Sequence, residues 1–398
     1  MINLSNKKEC CGCGACIQSC PVKAIKFKKD DFGFFYPNID KNICIDCNKC
    51  KKVCLFRKKI DTNSNYEKDV YVAVATNVNV AESSSGGIFS SIAQTFLEED
   101  NLVCGCEFIK EKDNFECRHI IIDNIGDLKR LKGSKYIQSN LITNNIYKQI
   151  EDYLIQGKKV LFSGTPCQVG GLKGYLRKEY NNLYCIEILC HGVPSSQIFN
   201  DYIKNFEQEK SCKVIEYKFR DNFNIDHSQG SLIVNSGNKE GVNGKIYFTE
   251  DNSSYYHYFL RGTILRESCF SCKYSSKNRA GDITIGDYWN LNLVHPEYTT
   301  KMNIKEGVSV VIINNDKGKE LLDHYGLSIN YLKSSYENVS KYNRNLLYST
   351  EEPKDHKRIL NLYKQKGYFS IEEEFKKTMK QKQTKRLIKN KIKKLIKK

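Results

Sequence analysis

The spacing of apolar residues changes several times along the chain, and each change predicts an element. DVYVAVATN, from Asp69, alternates as a strand does. SSSGGIFSSIAQTFLEED, from Ser83, reads as a serine-capped, glycine-opened helix. KKVLFSG is a continuous apolar run suited to a buried strand; TPCQVGG and a helical GLKGYLRKEY follow it. LYCIEILC is a second such strand, followed by HGVPSS and a helix beginning near Ser196. GSLIVNSGN and GKIYFTE pattern as a hairpin, DITIGDYW and GVSVVIINN as strands, and KGKELLDHY as a helix. Strands alternate with helices, so the expected body is α/β or mixed α+β. The first 60 or so residues carry only short apolar segments between cysteines. NSNYEK, around Asn63 to Lys68, reads as a polar linker.

Composition adds three constraints. A length of 398 residues suggests two or three domains at roughly 150 residues each. The formal charge of +17 is unevenly placed: twelve Lys or Arg and no acid lie between Lys376 and Lys398, leaving +5 for the rest. The excess belongs to a tail rather than to a binding face of the body, which argues against a nucleic-acid partner. Eighteen cysteines permit a disulfide scaffold or metal ligation. The N-terminus has no apolar run of signal-peptide length, and no stretch approaches a membrane span. The expectation is a cytoplasmic chain with reduced thiols, in which cysteine clusters bind metal.

Nine cysteines fall in the first 54 residues. Cys10-x2-Cys13-x2-Cys16-x3-Cys20-Pro21 and Cys44-x2-Cys47-x2-Cys50-x3-Cys54 both have bacterial ferredoxin spacing. Three thiolates of each run hold one [4Fe–4S] cube, and the fourth crosses to the other. This assigns Cys10, Cys13, Cys16 and Cys54 to one cluster and Cys44, Cys47, Cys50 and Cys20 to the second. Structural zinc needs only four ligands and gives no reason for the repeated third cysteine. Cys11 stands outside the spacing and reads as a bystander that can at most replace Cys10. The second run ends in Leu55 rather than proline.

The body has four cysteines in segments that read as site loops: Cys167 after a strand, Cys190 at a strand end, and the Cys269–Cys272 pair. Its other cysteines read as small core residues, Cys185 most clearly. SSSGGIF (83–89), KGSKYIQS (132–139), GTPCQVGGL (164–172), CHGVPS (190–195) and CFSCKYSSKNRAGDITIGDYW (269–289) occur in one order. In these motifs the chain resembles the beta subunit of coenzyme F420-reducing hydrogenase and its relatives, which include F420-dependent dehydrogenase beta subunits and the plant hydroxymethyl-chlorophyll reductase.

The resemblance covers about residues 1–340 and implies a flavoprotein oxidoreductase. It divides the chain into a ferredoxin domain (1–60), a domain of the family's N-terminal type (66–155), one of its C-terminal type with flavin and a third cluster (156–340), and a helical, basic tail (341–398). A small ferredoxin-like iron–sulfur domain would thus precede a mixed α/β flavin-binding body. Ser85, Gly86 and Gly87 would open a helix against FAD or its phosphates. Gly133, Ser134, Lys135 and Tyr136 would form a second flavin-side loop, with Lys135 as a cation. Gly164, Thr165 and Pro166 would turn the chain to bring Cys167 to the site. Cys167, Cys190, Cys269 and Cys272 would hold the third [4Fe–4S] cluster, between head and flavin. The implied substrate is a small molecule: an F420-like cofactor, or a biosynthetic precursor such as a sugar or polysaccharide intermediate. The implied partner is a redox protein or reduced ferredoxin.

The same residues have plainer readings. SSGG is a common helix cap, and a lone CxxC is more often zinc or a simple pair. Asp282 and Asp287, in GDITIGDYW, read equally as a site wall or as carboxylates at a strand end. His191 is a candidate proton donor, or a residue that tunes a neighbouring cluster. LIKNKIKKLIKK sets Leu387, Ile388, Ile392, Leu395 and Ile396 on one helical face among lysines, fitting an anionic membrane surface, an acidic partner or a solvated end. Two rival functions stand beside the enzyme: an electron-transfer subunit without its own substrate, and a zinc-stabilised binding protein.

Overall fold

The computed structural model describes residues 6–57, 68–221, 229–236, 243–302, 304 and 307–396, and the side chains of the last helix to Lys389 and at Lys393. The expected linker lies outside these residues except for Lys68. In the head, β1 (Ile25–Lys29) pairs with β2 (Phe35–Ile39). The body continues with β3 (Val70–Ala75), β4 (Leu102–Glu111), β5 (Asn114–Ile122), β6 (Val160–Gly164) and β7 (Leu183–Ile188). Next come β8 (Lys213–Lys218), β9 (Gly230–Asn235) and β10 (Gly244–Phe248), then β11 (Ile283–Asp287), β12 (Ser309–Ile313) and β13 (Ile329–Ser334).

Eight strands form one sheet in the order β13-β3-β12-β11-β7-β6-β4-β5. Its centre, β11-β7-β6-β4, is parallel; β12, β3, β13 and β5 pair antiparallel on the two sides. The apolar runs of β6 and β7 follow from this placement, since a parallel strand is covered on both faces. Side chains alternate between the two cores. Leu161, Tyr184 and Ile186 enter one with Phe96 and Val311; Val160, Phe162, Leu183 and Cys185 enter the other with Tyr147 and Leu172. Strands from 66–155 and from 156–340 share this sheet, with β3 between β12 and β13, so it runs across the expected boundary at 155/156.

β10, β9 and β8 form a second, antiparallel sheet. It packs with helices Ser196–Lys210 and Ser254–Leu260 around an aromatic core in which Phe199 touches Tyr217, Phe219 and Tyr255. Helix Tyr368–Ile396 buries Tyr368, Ile371, Phe375 and Met379 on this core, then leaves it; Leu387 and Ile388 are exposed. The side chains of Ile392, Leu395 and Ile396 lie outside the described residues. Among the described residues, no helix is long and apolar enough to cross a membrane.

Three local expectations change. Helix Ile88–Glu98 is capped by Gly87 at φ 78° with no side-chain cap, so the serines before it do not cap it. The second helix begins at Pro166 rather than within GLKGYLRKEY, because Thr165 serves as its N-cap: Gln168 Oε1 accepts the Thr165 N–H at 2.9 Å. The long hairpin β4–β5 carries no two-residue glycine turn and went unmarked in the apolar pattern.

The head docks on helix Pro166–Leu176 through helices Ala15–Gln18 and Lys49–Val53. Gly171 and Gly174 make this approach close. A Cβ at Gly171 would lie 2.7 Å from Cys13 Cβ, and one at Gly174 would lie 2.6 Å from the Val53 carbonyl oxygen. Gly174→Ala should therefore destabilise the docked head by about 1–3 kcal/mol through overpacking, outweighing the ~1 kcal/mol gained from helix propensity. Chemical denaturation and protease susceptibility of the head–body joint would read this out. Unchanged stability and protection would show that the joint is loose.

Candidate redox site

The carboxyl ends of β4, β6, β7 and β11 open on one cavity of about 470 Å³. That is where open α/β sheets bind ligands, and the volume is within the range of small-molecule sites. Its walls come from all five sequence motifs.

From the first motif, Ser85 and Gly87 face the cavity but Gly86 does not. Gly86 is wedged between strands: its N–H donates to Ser309 Oγ at 2.9 Å, and a Cβ there would lie 2.5 Å from the Ala73 carbonyl. Its role is close packing of the helix entry, not contact with a ligand. Gly133, Ser134, Lys135 and Tyr136 all line the cavity. Lys135 Nζ donates to the Leu131 and Lys132 carbonyls at 2.6 and 2.7 Å, which ties it to the end of helix Leu128–Leu131, and burial lowers its pKa. The Tyr136 ring stacks on Phe259 with centroids 4.4 Å apart.

Gly164 and Thr165 line the same cavity, while Pro166 lines a smaller one beside it. Cys167 sits on the first turn of its helix, with its Sγ 3.2 Å from Thr165 Oγ1. The smaller cavity, about 40 Å³, is lined by Cys167, Cys190, Cys269 and Cys272, together with Cys11. The four body thiols singled out in the sequence are thus brought together. Cys11 is no bystander in position: it is buried and hydrogen-bonds with the Cys13 and Cys167 thiols, joining head to body. Cys11, Cys167, Cys190 and His191 line both cavities. His191 Nε2 lies 3.3 Å from the Phe259 carbonyl; that oxygen only accepts, so Nε2 carries the proton. Burial lowers the pKa of His191 and favours the neutral ring.

Two buried arginines flank the Cys269–Cys272 pair. Arg279 pairs with Glu187 on β7, whose carboxylate also accepts from Ala280 N (2.9 Å), Gly281 N (2.8 Å) and Thr284 Oγ1 (2.8 Å). This pins the end of the knuckle loop to the sheet. Arg266, fully buried, donates to the Cys10 carbonyl (2.8 Å), the Phe35 carbonyl (2.8 Å) and Gln138 Oε1 (3.1 Å), and its Nη2 lies 3.7 Å from Cys10 Sγ.

Asp282 and Asp287 part company. Asp282 is buried structure, accepting from Cys185 N (2.7 Å) and Asn315 Nδ2 (3.0 Å). Asp287 is on the cavity wall, bridged to Arg220 through two bonds of 2.9 and 2.8 Å. In the head, Cys20, Cys44, Cys47 and Cys50 surround one small cavity, and Cys16 lies within charge-interaction range of Cys10 and Cys54. Among the described residues, no three His, Cys, Asp or Glu side chains converge tightly enough to chelate a single ion.

Sequence reasoning missed His119, Arg220, Arg266 and Glu187, and took Cys106 for core although it lines the cavity. Only Glu187 carried a signal, as a carboxylate inside the apolar run LYCIEIL. His119 comes from the unmarked hairpin. Its Nε2 lies 3.1 Å from the Ser163 carbonyl and its Nδ1 2.7 Å from Ser139 Oγ, which accepts from Gln168 Nε2 at 2.9 Å.

The family model for the C terminus of the coenzyme F420 hydrogenase/dehydrogenase beta subunit matches residues 157–334, and a 4Fe-4S dicluster domain matches residues 9–57. The chain belongs to this beta-subunit family. Among its relatives, the F-type component of the F420H2 dehydrogenase of Methanosarcina mazei is 23% identical over 209 residues, 49% of this chain and 58% of that protein. An uncharacterized protein of Methanocaldococcus jannaschii is 20% identical over 348 residues, 78% of this chain and 85% of that one. A chain of the xenon-derivatised F420-reducing [NiFe] hydrogenase complex from Methanosarcina barkeri aligns over 76% of this chain and 89% of its own, at 14% identity and a TM-score of 0.43.

Burial depresses the His119 pKa of this family member to about 4. An unfolded histidine titrates near 6.5, so the unfolded chain binds more protons between those values, and stability falls as pH drops through that window. Between pH 7 and 5 the advantage of the native chain over His119→Gln should shrink by about 2 kcal/mol, measured as denaturant midpoints. A pH-independent difference would refute a buried neutral imidazole.

Proposed function

We propose that the chain is an iron–sulfur flavoprotein oxidoreductase. Electrons pass between the ferredoxin-type clusters of the head, a third [4Fe–4S] cluster held by Cys167, Cys190, Cys269 and Cys272, and FAD in the large cavity. The observation that carries this reading is the shared wall: Cys11, Cys167, Cys190 and His191 line both the cysteine cavity and the flavin-sized one.

The residues fit both groups. Four buried or half-buried thiols stand around a space rather than converging on a point, which suits a cubane better than a single zinc. The larger cavity offers the uncapped start of helix Ile88–Glu98, the Lys135 region and Arg220 to phosphates, and Tyr136, Phe259 and Trp289 to flat rings. Flavin, when bound, exchanges electrons singly with clusters and in pairs with an organic substrate.

The chain's own residues do the positioning. Glu187 and Arg279 hold the knuckle loop, Thr165 orients the start of the Cys167 helix, and Tyr136 and Phe259 build an apolar wall. His191, with its Nε2 proton bound to Phe259 O, has Nδ1 as a base rather than a cationic acid. The substrate is a small organic molecule, F420-like or a sugar precursor. The name of the M. mazei relative, one component of a dehydrogenase, favours a second reading in which the chain relays electrons within a larger complex.

Purified without oxygen, the chain should contain about twelve irons and one FAD. Cys269→Ser with Cys272→Ser should lower iron to about eight and remove one cluster's electron paramagnetic resonance signal while the head signals persist. About eight irons and no flavin in the unaltered chain would confine the redox chemistry to the head and overturn the proposal.

A further inference from the structure

We propose that the surface over the head's second thiol group is the docking site for a small acidic electron-carrier protein. The inference rests on the relay reading above and names where that relay meets its partner.

The two head thiol groups differ in surroundings. Cys10 and Cys13 face the body, against Arg266 and Gly171. Cys20, Cys44, Cys47 and Cys50 lie away from it, and Cys47 is the one exposed cysteine of the eighteen. An electron carried by a protein must therefore arrive at Cys47, because tunnelling partners need close approach and the other thiols are shielded.

The loop around Cys47 has the composition of a contact surface. Ile43 and Ile45 are 47% and 62% exposed, two large aliphatic side chains within three residues beside a redox centre. Around them Lys23, Lys41, Lys49, Lys51 and Lys52 are exposed, and none forms an ion pair among the described residues. Asp40 and Asp46 are the acids in the same loop, so the rim keeps a net positive charge. Elsewhere on the head the pattern is different: Lys7 pairs with Asp30, and Lys8 with Glu352. Unpaired lysines around an apolar centre steer an acidic partner and then let it leave. This suits electron-transfer encounters, which are small and short-lived.

The test uses the full chain, purified anaerobically, and a reduced small acidic ferredoxin as probe. Binding is read by fluorescence anisotropy of labelled ferredoxin, and electron transfer by stopped flow. Lys49→Glu/Lys51→Glu/Lys52→Glu should slow the bimolecular step about tenfold or more at low salt, and added salt should erase the difference. Reduction by a viologen, the iron content and the visible spectrum should not change. A control triple in the tail, Lys380→Glu/Lys385→Glu/Lys389→Glu, should behave as the native chain. If the head triple, with full iron, binds and reacts like the native chain, or if the tail triple loses the rate instead, the surface is not the dock. Iron and flavin measured on the same sample separate this from failure of the relay reading. A chain with only the head clusters would still bind the ferredoxin through this face.

Discussion

A buried guanidinium holds this molecule together. Arg266 has no solvent exposure and no carboxylate partner among the described residues, yet its charge cannot be lost at any ordinary pH. Burying such a charge costs several kcal/mol unless something compensates. Two head carbonyls, one body amide oxygen and the face of Tyr36, 4.2 Å from the guanidinium carbon, supply part of the compensation. The remainder has to come from negative charge at Cys10, 3.7 Å away, and the dicluster domain supplies it as cysteine thiolate. The joint between head and body is therefore an electrostatic bond between an arginine of one and the metal centre of the other.

The second constraint is the sheet. Its parallel centre places four strand ends on one edge, and every element of the site hangs from those ends. Glu187 is the best example. It sits on a strand that otherwise reads as core, and its carboxylate gathers an arginine, two backbone amides and a hydroxyl from the loop behind the cysteine pair. With that many donors a buried carboxylate is compensated, and the loop has one position. The cysteine geometry is inherited from strand geometry rather than from the loop's own sequence.

These two devices mark the limit of what the sequence disclosed. Residue spacing identified both ferredoxin runs, the central strands and the four body cysteines, because each rests on a short-range rule: ligand period, strand period, strand-end position. Long-range partnerships left no such trace. Arg266 looks like any surface arginine in RGTILRES, and Gly86 looks like a phosphate-loop glycine until Ala73 is seen pressing on it. His119 and Cys106 lay in a hairpin whose polar and apolar residues do not alternate cleanly. The expectation for Cys11 failed for a similar reason: its neighbour Cys167 is distant in sequence, and only docking brings them together.

The contacts that clamp the head span most of the chain: Cys10 to Arg266 across 256 residues, and Lys8 to Glu352 across 344. A ribosome adding 5–20 residues per second needs roughly 13–50 seconds to make the first of these spans. For that interval the head stands free, with Cys10, Cys11 and Cys13 open to solvent and to the cell's iron–sulfur supply. Once Arg266 arrives the door closes on whatever has been loaded. The order of synthesis thus makes cluster insertion on the joint side an early event, and a head that misses it docks against a positive charge with nothing to answer it.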